Sequence, residues 1–139
     1  MDDEKLMTLH RHFMWCNIIK KHFEGEIQKS IKSKIDLEES IADYYGAYMS
    51  IWYGMLFGLL EALKHEKVII QEIENDINDI YEPLRFYRNA VFHPQPKYWS
   101  NKLLKIMEDK ASAGKLWKIH KRLGKYFLEE MQKRTKNSG

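Results

Sequence analysis

Residues 81–99 read YEPLRFYRNAVFHPQPKYW and gather side chains able to handle a phosphate. Arg85, Arg88 and Lys97 carry positive charge, Asn89 and Gln95 offer amides, His93 offers an imidazole, and Tyr81, Tyr87, Tyr98 and Trp99 add aromatic surface. A histidine with an ordinary pKa of about 6.5 accepts or donates a proton near neutrality. An arginine keeps its charge and presents a planar fork that matches two phosphate oxygens. With a polar amide beside them, these groups suit cleavage of a phosphodiester. RNA brings its own nucleophile, the ribose 2′-hydroxyl, so proton transfer and stabilisation of charge on phosphorus suffice. Such chemistry calls for no cofactor and no metal. On an unbroken helix, five positions would set Arg88 and His93 about 140° apart. Pro94 should end the helix, letting the His93 ring swing back toward Arg88 while Asn89 hydrogen-bonds either of them or the backbone.

On the residues alone a different arrangement stays open, with Arg88 paired to a carboxylate and His93 capping its helix. Glu61, upstream on an apolar stretch, could be a supporting carboxylate of the site or a structural partner. Other chemistries leave marks that are missing here. There is no G-x-x-x-x-G-K-[ST], G-x-G-x-x-G or G-x-S-x-G, which argues against P-loop, dinucleotide and nucleophile-elbow enzymes. Cys16 is the only cysteine and no pair of Glu-x-x-His motifs occurs, so neither a zinc site nor a di-iron bundle is expected. Cys16 reads as a small buried hydrophobe, and His10, His12, His22, His65 and His120 as surface or packing residues.

Helices must position these groups. The three prolines, Pro83, Pro94 and Pro96, fall in one short region and no alternating run stands between turn signals, so the fold class is all-α, a bundle of four to five principal helices. A first helix is expected over residues 2–23, with Leu6, Leu9, Phe13 and Ile19 on one face, Asp2, Asp3 and Glu4 at its positive end, and Gly25 ending it. A short piece around Ile27, Ile31 and Ile35 follows. The longest helix then starts within 36–40 and runs to about His65; its Gly54 and Gly58 signal close helix packing or a self-association face. A fourth helix spans 66–81, Pro83 opens a fifth over 82–92, Ser100 or Asn101 starts another through Met107, and Ser112 begins the last. Residues 135–139 are expected to fray.

One domain covers 1–139, because this length supports a single core. Tyr44 to Leu60 is 17 residues without a formal charge, but its aromatic residues are spread through the middle, so a buried helix is expected and not a membrane span. The lone cysteine and the acidic, polar N-terminus point to the cytoplasm. Charge is unevenly divided: residues 1–96 carry 11 Lys and Arg against 16 Asp and Glu, and residues 97–139 carry 12 against 4. A basic carboxy-terminal third suits a polyanion such as RNA. Lys118, Lys121 and Arg122, with Arg85 and Lys97 near the motif, are the candidates for holding its backbone.

The run R-N-A-V-F-H-P resembles the signature of the HEPN superfamily, an arginine, four to six residues and a histidine, often with a polar residue straight after the arginine. Arg88, Asn89 and His93 match it position for position. The resemblance implies a small all-α bundle that forms a homodimer with two motifs facing across a cleft. It also implies a metal-independent endoribonuclease of toxin–antitoxin, phage-defence or RNA-processing type, with Arg88, Asn89 and His93 catalytic and an antitoxin as a possible partner. Some members are inactive and bind nucleotide, RNA or protein. Members paired with a nucleotidyltransferase antitoxin usually carry a tyrosine two residues after the histidine; here that residue is Gln95, which puts such a partner in doubt.

Overall fold

Leu6, Leu9, Phe13, Cys16, Phe23 and Ile27 recur at steps of three, four or seven, and this stripe runs straight past Gly25. The helix does the same. In the computed structural model, which describes residues 1–33, 44–97, 100–101, 105–106 and 109–137, helix α1 spans Asp3–Ser33 without a break. Gly25 was expected to end it, yet a glycine inside a helix costs only about 1 kcal/mol relative to alanine. Phe23 is buried on one side of it and Ile27 packs against the core on the other, which outweighs that cost. The short separate piece around Ile27 and Ile31 is therefore the last part of α1; Ile35 and residues 36–40 lie outside the described residues.

Helix α2, Tyr44–His65, is the most buried of the described helices, with Trp52, Leu56, Phe57 and Leu59 fully enclosed. It stops where the sequence places its end. Lys67 takes a left-handed φ of 58°, its N–H donates to Lys64 O at 3.0 Å, and the Val68 N–H donates to Leu63 O at 2.9 Å. This pair of bonds is a Schellman closure, which satisfies the last carbonyls and turns the chain. The closure displaces the expected helix at 66–81: after a 3₁₀ turn at Gln71–Ile73, helix α3 begins at Glu74 and continues to Phe92. Pro83 lies inside α3 and does not open a new helix. It cannot donate to the Asp79 carbonyl, a loss of about 3 kcal/mol, but Ile77, Ile80, Leu84, Tyr87 and Val91 keep one apolar register across it, with Ile80, Leu84 and Tyr87 buried.

Helix α4 spans Lys110–Asn137. Its cap is Asp109, whose Oδ1 accepts from the Ala111 N–H at 3.0 Å and whose Oδ2 accepts from the Ser112 hydroxyl at 3.1 Å, so Ser112 sits inside the first turn. Asn101, Lys105 and Ile106 are helical; the rest of the helix expected there lies outside the described residues. The four helices form an antiparallel bundle with no strand among the described residues. Neighbours are fixed by contacts such as Phe23 with Tyr45, Phe57 with Tyr81, and Phe13 with His120.

A polar chain crosses the core. The Trp52 indole N–H donates to His120 Nδ1 at 3.1 Å, and His120 Nε2 meets Asn17 Oδ1 at 3.0 Å. Because Nδ1 accepts, the ring proton sits on Nε2 and donates to Asn17. Burial, with Lys20 nearby, lowers the His120 pKa to about 4, and burial pushes the adjacent Cys16 thiol up to about 12.

Two outcomes follow for stability. An unfolded histidine takes up its proton near pH 6.5, so unfolding binds a proton between about pH 6.5 and 4; the stability owed to neutral His120 is complete above that interval and lost through it as pH falls. Thermal melts should show the wild type losing more in this interval than His120→Gln, and parallel profiles would contradict the assignment. Lys67→Gly should stabilise the chain by about 1 kcal/mol in urea denaturation, since glycine adopts positive φ freely.

Candidate functional site

The last turn of α3 rests on α2 at Gly54. A Cβ at Gly54 would lie 2.9 Å from Phe92 Cε2 and 3.9 Å from Arg88 Cγ, so any larger residue would displace the Phe92 ring. Arg88 is half-buried here. Its Cζ lies 4.6 Å from the centre of the Phe57 ring, and its Nε–H donates to Asn89 Oδ1 at 3.0 Å. The aromatic face holds the cation and the amide sets its rotation. No carboxylate pairs with Arg88 among the described residues, so the two terminal nitrogens remain available to an oxyanion.

His93 ends α3 in an extended conformation, φ −123° and ψ 105°. Its N–H donates to Asn89 O at 3.0 Å and its carbonyl accepts from Gln95 Nε2 at 2.5 Å. The backbone is thus tied on both sides while the imidazole is exposed. Asn89 engages both residues, Arg88 through its side chain and His93 through its carbonyl. The Arg88 and His93 side chains make no hydrogen bond to each other among the described residues. Glu61 is exposed on α2 and pairs with neither; it acts on Tyr81, whose hydroxyl is raised first by burial and then by the Glu61 and Glu82 charges. Tyr98 and Trp99 lie outside the described residues.

The candidate backbone-holding cations divide into two groups. Arg85 is committed to Glu82, with contacts of 3.1 Å from Nε and 2.6 Å from Nη2, and this hydrogen bonding holds the Glu82 carboxyl below its usual range. Lys118 pairs with Asp76 at 2.8 Å and Arg122 with Glu72 at 3.3 Å, and Lys115 adds a bond to Asp79 at 3.2 Å. Glu72, Asp76 and Asp79 step by four and three, and their partners step back by the same intervals, because α3 and α4 run antiparallel. Part of the basic third is therefore neutralised within the protein. Lys97 and Lys121 are exposed and enter no ion pair among the described residues.

Sequence reasoning did not find Phe57 as the seat of Arg88 or Gly54 as the clearance for Phe92, since each acts on a residue distant in the chain. It also did not find Lys105, whose Nζ lies 5.2 Å from the Phe86 ring centre and places another cation near this end of α3. Among the described residues no group of three or more His, Cys, Asp and Glu side chains could hold a metal ion, and no helix is long and apolar enough to cross a membrane. No family model, curated protein or solved structure matches the chain.

The ion-pair ladder has a direct test. Lys118→Glu should destabilise the chain by about 1 kcal/mol by facing Asp76 with a like charge, Lys121→Glu should stay within about 0.5 kcal/mol, and Lys118→Glu combined with Asp76→Lys should recover most of the loss. Urea denaturation of the wild type, these three variants and Asp76→Lys alone measures this, and additive losses in the double variant would refute the pairing.

Proposed function

We propose that this chain is a HEPN-like, metal-independent endoribonuclease that acts as a homodimer. The observation that carries the reading is the uncommitted fork of Arg88, held by Phe57 and Asn89 at the same helix end that exposes His93. In this scheme the RNA 2′-oxygen attacks phosphorus and the bond to the 5′-oxygen breaks, leaving a 2′,3′-cyclic phosphate and a 5′-hydroxyl. One His93 takes the 2′-hydroxyl proton, His93 of a second copy protonates the departing 5′-oxygen, and Arg88 stabilises the charge that builds on the phosphoryl oxygens. Asn89 keeps Arg88 in position. Two copies are needed because one protomer offers a single motif histidine for two proton transfers. Phe92 supports a dimer face, as it is 58% exposed beside the motif, and Ile51, one turn before Gly54 on α2, is 40% exposed. Lys97 and Lys105, in the segment that follows the motif, are exposed cations suited to the RNA backbone.

A second reading is favoured by the absence of a hydrogen bond between Arg88 and His93: a non-catalytic HEPN-like dimer that binds nucleotide, RNA or a partner protein. The two readings differ in outcome. For the enzyme, Arg88→Ala and His93→Ala each lower cleavage in the presence of a chelator by about 10²-fold or more, with melting temperature and sedimentation as a dimer unchanged, and RNA carrying 2′-deoxyribose at the cleavage site resists. For the binding module, the wild type cleaves nothing and both substitutions weaken RNA or nucleotide binding. A chain that sediments as a monomer at micromolar concentration argues against both.

A further inference from the structure

On the other side of the bundle from Arg88, α1 and α4 leave a groove of about 550 Å³. Lys20, Lys118 and Lys121 rim it, Asn17 and His120 form part of its wall, and no carboxylate is among the residues lining it. Lys118 is balanced by Asp76 and Lys20 by Glu24, and the Lys20 ammonium also rests 3.8 Å from the Trp117 ring centre. Lys121 enters no ion pair among the described residues.

The polar chain through the core decides what Asn17 presents. Trp52 occupies His120 Nδ1, so His120 Nε2–H must find an acceptor, and Asn17 Oδ1 supplies it. Flipping the amide would set its NH₂ against the Nε2–H, so the orientation is locked. The Asn17 Nδ2 hydrogens are thereby left as donors at the groove. A wall with a fixed amide donor and an unpaired ammonium, flanked by two lysines whose carboxylate partners lie outside the lining, matches an oxyanion. Trp117 and Phe13 line the same space and offer aromatic surface to a planar ring beside that anion.

We propose that the α1–α4 groove binds the phosphate of a nucleotide unit, with Asn17 and Lys121 as its principal contacts. The site is built from residues other than Arg88, Asn89 and His93, so it stands or falls apart from the ribonuclease reading.

The test uses the full chain and three probes: inorganic phosphate, adenosine monophosphate, and a short 2′-O-methyl oligoribonucleotide that cannot be cleaved by 2′-hydroxyl attack. Binding is followed by calorimetry and by NMR shifts of the Asn17 side-chain amide and the Trp117 indole. The expected result is that the nucleotide shifts both signals, that Lys121→Glu weakens its binding by about tenfold or more, equivalent to about 1.4 kcal/mol, and that Arg88→Ala leaves it unchanged. Asn17→Asp, which keeps the acceptor for His120 but replaces the donor by an anion, should remove binding; should that variant fail to fold, Lys121→Glu at its exposed position carries the test. Similar affinity for the mononucleotide and the oligomer marks a free nucleotide as ligand, and tighter, more salt-sensitive binding of the oligomer marks an RNA strand. No shift with any probe, or binding that Arg88→Ala removes and Lys121→Glu spares, overturns the proposal.

Discussion

The indole N–H of Trp52 is fully enclosed by the bundle, and a donor in that position must be satisfied or cost about 1–3 kcal/mol. Its acceptor is His120 on α4, and the proton that this forces onto the other ring nitrogen is accepted by Asn17 on α1. Two hydrogen bonds thus join three helices and set their rotation about their own axes, which apolar contacts alone specify only loosely. The Cys16 thiol lies against the same ring, 4.0 Å from Nδ1, and Phe13 packs tilted on it. The imidazole must stay neutral for this to work, and burial keeps it so.

Around that core, α2 is the common wall. One side takes α1 through Phe23, Cys16 and His12; another takes α3 through the Ser50 hydroxyl, which lies 2.9 Å from Tyr87 Oη, and through the Phe57 ring beneath Arg88. Placement of the motif is a consequence of this second contact. Gly54 lets the end of α3 come close, Phe57 seats the guanidinium, and Pro94 prevents the helix from carrying His93 around to another face. The result is an arginine held by an aromatic ring and an amide, and not by a carboxylate that would consume its fork.

Charge follows the same logic. The acidic start of α3 and the basic α4 lie antiparallel, so their opposite charges meet in register and a large share of the sequence asymmetry is spent inside the molecule. Among the described residues of the basic third, the cations that enter no ion pair include Lys97 and Lys105 in the segment that follows the motif, Lys121 at the α1–α4 groove, and Lys136 near the end of α4. Exposed pairs of this type add little to stability, so the main effect of the ladder is on which cations remain free to meet an anion.

The sequence by itself determined the all-α class, the end of α2 near His65, the end of α3 ahead of Pro94, and the packing role of Cys16, while it left His120 open between surface and packing. Each of these has a local cause: helical spacing of apolar residues, a proline that excludes the helical conformation before it, or a residue type that rarely faces water. Only the tertiary structure decided that α1 continues through Gly25, that α3 starts at Glu74 and continues through Pro83, and that Asp109 caps α4 in place of Ser112. It also decided which lysines and arginines are neutralised and which ring supports Arg88. Local breaking signals are worth about 1–3 kcal/mol each, and an apolar stripe that stays in register on both sides of a glycine or proline buries several side chains at about 1.5–3 kcal/mol apiece. The partners of Arg88, Lys118 and Arg122 are distant in the chain, so no local pattern could have named them; they meet because the bundle brings antiparallel faces together.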